Sequence, residues 1–127
     1  KRAVAKGGAF WEGAKTEEEL RQAYGESTML VYPSLYEGFG LPPLEAMACG
    51  CPVVCAKAGS LPEVCGGAAE YFDPESEEEM MSVVGTVLGS EARQKELSRA
   101  GFVRAEEFSW ARMAEETAGI YTRALAS

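Results

Sequence analysis

At 127 residues and about 13.6 kDa, the chain has the size of one domain, which argues against two domains enclosing a cleft of their own. Apolar residues at 46% and charged residues at 25% match an ordinary globular composition and exclude disorder, collagen-like repeats and a disulfide-stapled miniprotein. Twelve Lys and Arg against twenty Asp and Glu leave a net charge of −8, so neither nucleic acid nor an anionic membrane surface is an expected partner.

No apolar run approaches the roughly 18 to 20 residues that cross a bilayer, and Lys1-Arg2-Ala3-Val4-Ala5-Lys6 holds no hydrophobic signal core. A soluble, cytoplasmic chain without a transmembrane segment is expected. The first dozen residues predict no element and the chain begins without Met, so it reads as part of a longer protein. Thr16-Glu17-Glu18-Glu19 has the form of a capping box, followed by Leu20, Ala23 and Tyr24 on one face and Gly25 as a stop, which predicts a helix over 17–24. Met29-Leu30-Val31-Tyr32, closed by Pro33, predicts a buried parallel strand.

Ser34-Leu35-Tyr36-Glu37-Gly38-Phe39-Gly40 reads as a loop, and a helix is expected over 42–49, with prolines in its first turn and Gly50 as a left-handed stop. Residues 51–56 predict a second buried strand, with Pro52 confined to its start. Gly59-Ser60 then turns into one helical turn over 61–64. Residues 69–72 predict a third strand, ended by Asp73 as N-cap and Pro74 as first residue of a helix of about four turns. Met80, Met81, Val83, Val84, Val87 and Leu88 form its apolar stripe, and Glu75, Glu77, Glu78 and Glu79 favour its start. A further helix is expected over 91–100 before Gly101. A last one starts at Ser109, with Trp110, Met113, Thr117, Ile120, Tyr121 and Leu125 on a stripe read as core or interdomain packing.

Strands alternating with helices predict an α/β domain with a Rossmann-like parallel sheet and right-handed crossovers. Three visible strands are few, so either more lie upstream or one sheet edge is open. Cysteines 49, 51, 55 and 65 cluster among Ala, Val and Gly and, with no His in the chain, read as free, buried thiols rather than zinc ligands.

Ligands of open parallel sheets bind beyond the carboxyl ends of the strands, which here feed loops 34–41 and 57–62. Backbone amides at Phe39, Gly40 and Leu41 at a helix start suit phosphate or sugar oxygens, and Gly38 and Gly40 allow close approach or positive φ. Glu37 and Glu45, eight residues apart, both lie where they can border one crevice, and each carboxylate can accept from sugar hydroxyls. On spacing alone, a solvated loop residue and a routine helix residue are the better assignments, because such pairs are common in an acidic chain. Tyr36 and Ser34 either line the pocket or lie under the loop, and Glu63 reads as a helix-start carboxylate.

The segment from Ser34 to Val54, with its Glu37-x7-Glu45 spacing, closely resembles retaining, family-4-type glycosyltransferases of the GT-B fold. Gly59-Ser60-Leu61-Pro62-Glu63-Val64 resembles that family's second donor-site loop, and Phe108-Ser109-Trp110 the lead-in to its C-terminal helix. The resemblance implies that residues 1–127 are part of a C-terminal nucleotide-sugar-binding domain, lacking upstream strands and the N-terminal acceptor-binding domain. It implies transfer of a hexose from a nucleoside-diphosphate sugar to an acceptor hydroxyl, with no cofactor and no metal. Glu37 is then catalytic, binding the transferred sugar and assisting charge at its anomeric carbon. Ser34, Gly38, Phe39, Gly40, Leu41 and Glu45 bind the donor, Glu45 through the ribose hydroxyls. The family's Arg and Lys that stabilise the leaving group have no match here, and Lys1, Arg2 and Lys6 are not assigned to that role. The alternatives are a non-catalytic nucleotide-sugar-binding relative and a phosphate-binding flavodoxin-like domain.

Overall fold

The computed structural model describes residues 8–127 and the backbone of Ala3 and Val4. Lys1, Arg2 and Lys6 lie outside the described residues. A short ribbon, β1 (Ala3–Val4) antiparallel to β2 (Phe10–Trp11), stands where the sequence predicts no element. Two-residue strands are too short to leave a readable alternation.

Helix α1 (Glu17–Glu26) begins on the expected capping box: the Glu19 amide donates to Thr16 Oγ1 at 3.2 Å and the Thr16 amide to Glu19 Oε2 at 2.8 Å. It runs through Gly25, which has no positive φ, and stops at Ser27, whose hydroxyl donates back to Ala23 O at 2.6 Å. Strands β3 (Leu30–Tyr32), β4 (Val53–Ala56) and β5 (Ala69–Phe72) form one parallel sheet with β4 in the centre. Pro52 sits just ahead of β4, where it loses no ladder bond, and its carbonyl accepts from the Leu30 amide at 2.8 Å.

Helix α2 (Leu41–Ala48) links β3 to β4, and α3 (Leu61–Cys65) with a 3-10 turn at Gly66–Ala68 links β4 to β5. Gly50 takes φ +75°; the Gly50 amide donates to Met47 O at 3.0 Å and the Cys51 amide to Ala46 O at 2.9 Å. That double bond is a Schellman stop, which satisfies the last carbonyls of α2 and turns the chain into β4.

Beyond α1, which passes its expected stop at Gly25, two more helix limits differ from the sequence reading. Helix α4 (Glu77–Leu88) is capped by Ser76, not Asp73. Asp73 instead accepts the Glu75 amide on its carboxylate at 2.9 Å and the Ser76 amide on its carbonyl at 3.0 Å. The Asp-Pro pair therefore spends itself on a turn, and Pro74 and Glu75 precede the helix. Helix α5 (Glu91–Glu106) passes through Gly101. A Cβ on Gly101 would lie 3.1 Å from Met47 Cγ, so this glycine lets α5 approach α2 rather than ending the helix.

The core lies between the sheet and α2 to α5: all of β4 is buried, with Ala46, Met47, Leu61, Phe72, Val87 and Leu97 around it. Cys51, Cys55 and Cys65 are buried free thiols in this core, Cys49 is half-buried, and burial pushes the Cys51 thiol up to about 11. Helix α6 (Trp110–Ala126) contributes nothing to the core among the described residues. Its stripe is exposed, Trp110 at 78% and Leu125 at 89%, so the reading of that stripe as core of this domain is corrected. No helix among the described residues is long and apolar enough to cross a membrane.

Candidate donor site at the carboxyl edge of the sheet

Because the three strands are parallel, the loops that leave β3 and β4 emerge at the same edge, with Tyr32 in register with Cys55. These loops, residues 33–40 and 57–60, are stitched together. The Ser60 hydroxyl lies 3.0 Å from Glu37 O and 2.8 Å from Phe39 O, so one proton bridges two carbonyls of the first loop. A Cβ on Gly59 (φ +53°) would sit 3.3 Å from Glu37 N and O, so only glycine gives this close approach without strain.

Glu37 is fixed on the side of the strand end. Tyr32, the last residue of β3, donates to Glu37 Oε1 at 2.6 Å, and the Ser34 hydroxyl donates to the same oxygen at 2.8 Å. These two bonds, the Tyr32 bond first, hold the Glu37 carboxyl below its ordinary pKa, so it stays ionised at neutral pH. Burial, reinforced by the bond to Glu37, pushes the Tyr32 phenol up to about 12, which keeps the donor protonated. Both bonds fall on Oε1. An anionic acceptor held by two hydroxyls keeps lone pairs to bind further hydroxyls or to face a developing positive charge.

Gly40 caps α2 with φ +99° and offers no side-chain bond to the first-turn amides. Pro42 and Pro43 carry no N–H, so in this turn the Leu41 amide, with the positive end of the helix dipole, is what suits an anion. A Cβ on Gly40 would stand 2.9 Å from Leu61 Cδ2, which is buried. Gly38 differs from the expectation of special backbone need: it has no positive φ, and a Cβ there meets nothing within 4 Å. Leu41 is exposed at the helix start, Phe39 is partly exposed, and Tyr36 is 82% exposed, which places Tyr36 outside the loop rather than under it.

Glu45 lies in the second turn of α2, exposed, with no cation paired to it among the described residues. Burial and then the charge of Glu45 raise the Tyr24 phenol, and Tyr24 contributes in turn to raising Tyr32, the partner of Glu37. Two open depressions among the described residues lie elsewhere, about 380 Å3 beside Ser27, Pro52 and Lys95 at the amino edge of the sheet and about 450 Å3 beside Ile120 on α6. Neither is lined by either acid.

Residues 5–104 match the family described as Glycosyl transferases group 1. The chain belongs to that family. It is 37% identical over 120 residues to O-antigen chain mannosyltransferase B of Escherichia coli, covering 94% of this chain and 32% of that protein. Among solved structures it is similar to sucrose-phosphate synthase from Thermosynechococcus elongatus, with a TM-score of 0.79 and 28% identity over 90% of this chain and 29% of the other. A C-terminal domain of a glycosyl transferase group 1 family protein from Francisella tularensis gives a TM-score of 0.67 at 25% identity, over 76% of this chain and 51% of the other. The chain thus spans about a third of the length of the mannosyltransferase it matches. Its sheet and flanking helices are the Rossmann-like fold of GT-B glycosyltransferases.

The sequence reading picks out Ser34, Glu37 and Gly40 but misses Tyr32 and Ser60 as their partners. Tyr32 reads as an ordinary strand residue. Ser60 carries a signal only through the resemblance of its loop, because its acceptors lie 21 and 23 positions away.

Proposed function

We propose that this chain supplies the donor site of a retaining glycosyltransferase that moves a hexose from a nucleoside-diphosphate sugar to an acceptor hydroxyl. The observation that carries this reading is the Glu37 carboxylate, ionised and anchored by Tyr32 and Ser34 close before the N-terminus of α2, where Gly40 supplies no side-chain cap. Breaking the bond to the diphosphate leaves positive charge at the anomeric carbon and negative charge on the departing oxygens. A fixed carboxylate stabilises the first, and helix-start amides at Phe39, Gly40 and Leu41 stabilise the second, without reorganisation during the reaction. Glu45, exposed on the next turn, accepts from the ribose hydroxyls. No metal enters this scheme.

The Francisella domain supports reading residues 1–127 as part of a C-terminal donor-binding domain. The Escherichia mannosyltransferase supports hexosyl transfer. In this reading the acceptor is held by an N-terminal domain that is not part of these residues, and the protein acts in the cytoplasm. The 127 residues alone then bind donor but transfer little or nothing, and measurable turnover by this chain contradicts that division of labour.

Calorimetric titration with GDP-mannose and UDP-glucose tests the site. Glu45→Ala is expected to lose about 1 to 3 kcal/mol of donor affinity, the range for hydrogen bonds to a charged acceptor. Unchanged affinity removes Glu45 from the site. Binding of free phosphate or flavin with no response to the sugar favours the flavodoxin-like alternative.

A further inference from the structure

We infer that Phe108, held in place by Arg104, is a positioning residue for the loop that carries Glu37. Its meaning for catalysis rests on the donor-site reading above. Phe108 lies between the end of α5 and Ser109, the N-cap of α6, and its amide donates to Ala105 O at 3.1 Å. Its ring meets Phe39 edge to face, with centroids 5.9 Å apart and planes at 84°. The Arg104 guanidinium sits over the same ring, 5.0 Å from its centroid.

Arg104 is fixed by its other contacts. Its Nε donates to Val64 O at 2.8 Å and its Nη2 to Glu63 O at 2.6 Å, capping carbonyls of α3, while Nη1 pairs with Glu107. Gly66 takes φ +55°, and a Cβ there would only make ordinary contact with Arg104 Nε at 3.4 Å, so the backbone angle rather than space favours glycine beside the guanidinium. Helix α3 is therefore pinned at both ends: Ser60 binds the carbonyls of Glu37 and Phe39 at its start, and Arg104 binds its last carbonyls.

The contacts close a circuit from Phe39 through Ser60, α3, Arg104 and Phe108 back to Phe39. A loop held at one point can pivot; one held by its carbonyl and its ring cannot. Both aromatic pairs and cation–ring contacts are attractive only within a restricted geometry, so they fix orientation as well as position. Phe39 immediately precedes Gly40, the cap of α2, so holding Phe39 also holds the Gly40 and Leu41 amides at the start of α2. Phe108 acts on the site through its ring contact with Phe39.

The test is amide 15N relaxation on the ligand-free chain, wild type against Phe108→Ala, Phe108→Tyr and Arg104→Lys. Wild-type order parameters of about 0.85 at Gly38, Phe39 and Gly40 should fall below about 0.6 in Phe108→Ala, with β4 amides unchanged. Phe108→Tyr should restore them, and Arg104→Lys should lower them partially, since an ammonium cannot hold two carbonyls in a fork and stack on the ring together. Should Phe108→Ala fail to fold, Phe108→Leu, which keeps apolar bulk without the ring, is read the same way. Unchanged loop order, or a loss spread evenly over β4 and α4, overturns the inference. Titration of wild type and Phe108→Ala with GDP-mannose and UDP-glucose adds the functional half, expected at about tenfold weaker binding, or 1.4 kcal/mol. Equal binding despite a loosened loop overturns that half. A wild type that binds neither sugar defeats the donor-site reading, while the order parameters still decide the positioning role.

Discussion

Loop 33–40 and helix α6 both carry exposed apolar and aromatic side chains, yet they stand in different relations to the rest of the molecule. The loop is tied to α3 through Ser60, to β3 through Tyr32 and to the end of α5 through Phe108. The side-chain bonds of α6 among the described residues stay within the helix or reach only its immediate approach, as in Arg112 with Glu116 and with Glu107 O, and none of its residues is buried. An apolar stripe thus says which face of a helix avoids water without saying what covers it. A loop with little periodicity can still be rigid, because hydrogen bonds and ring contacts from distant positions converge on it.

The largest effects should separate the core under the loop from α6. Phe72→Ala removes a buried ring at the end of β5 and should cost about 3 to 5 kcal/mol in a urea titration. Gly40→Ala should follow at about 1 to 3 kcal/mol, since it forces a side chain into φ +99° and against Leu61 Cδ2 at 2.9 Å. A thermal melt of Gly40→Ala indistinguishable from wild type would mean that the loop relaxes freely, contrary to the stitched arrangement. Ser60→Ala leaves two carbonyls without their shared donor, and about 0.5 to 1.5 kcal/mol is expected in the same assay.

A smaller, local effect sharpens the electrostatic side. Removing the hydroxyl in Tyr32→Phe deletes the main cause of the lowered Glu37 pKa, so a carboxyl 13C titration should show it rising toward the ordinary value. Because the folded pKa lies below the unfolded one, the contribution of the wild-type Tyr32–Glu37 pair is present above the unfolded carboxyl pKa and is lost as pH falls through the folded one. An unmoved Glu37 titration would show that the Tyr32 bond does not control it. The smallest effect belongs to α6: Leu125→Ala, 89% exposed, should change stability by no more than about 0.5 kcal/mol. A core-sized loss there would erase the contrast with the loop.

Much of this contrast could be read from the sequence, and the part that could not has a common cause. The strands over 30–32, 53–56 and 69–72 announce themselves as short apolar runs between turn residues, and Thr16, Ser109 and Gly50 mark helix limits by local chemistry. Asp73 misleads because an Asp-Pro turn and an N-cap use the same residue types within three positions. Gly101 misleads because a glycine that admits Met47 looks the same in sequence as one that ends a helix. Glu37 and Gly40 are visible through the resemblance of their motif. The supports that fix them are not, since Ser60 lies 23 positions from Glu37, and Arg104 lies 40 from Val64 and 41 from Glu63. Such contacts depend on the sheet register and on the crossing of α5, which no local window contains.

Backbone amide shift mapping of the 127-residue chain during titration with GDP-mannose and with UDP-glucose tests the donor-site assignment most directly. Saturable shifts confined to residues 34–45 and 57–61 are expected for one of the two sugars, with α6 and the amino-edge depression near Lys95 silent. Saturable shifts centred on Lys95 or on α6, with Glu37, Gly40 and Ser60 unmoved, would contradict the account.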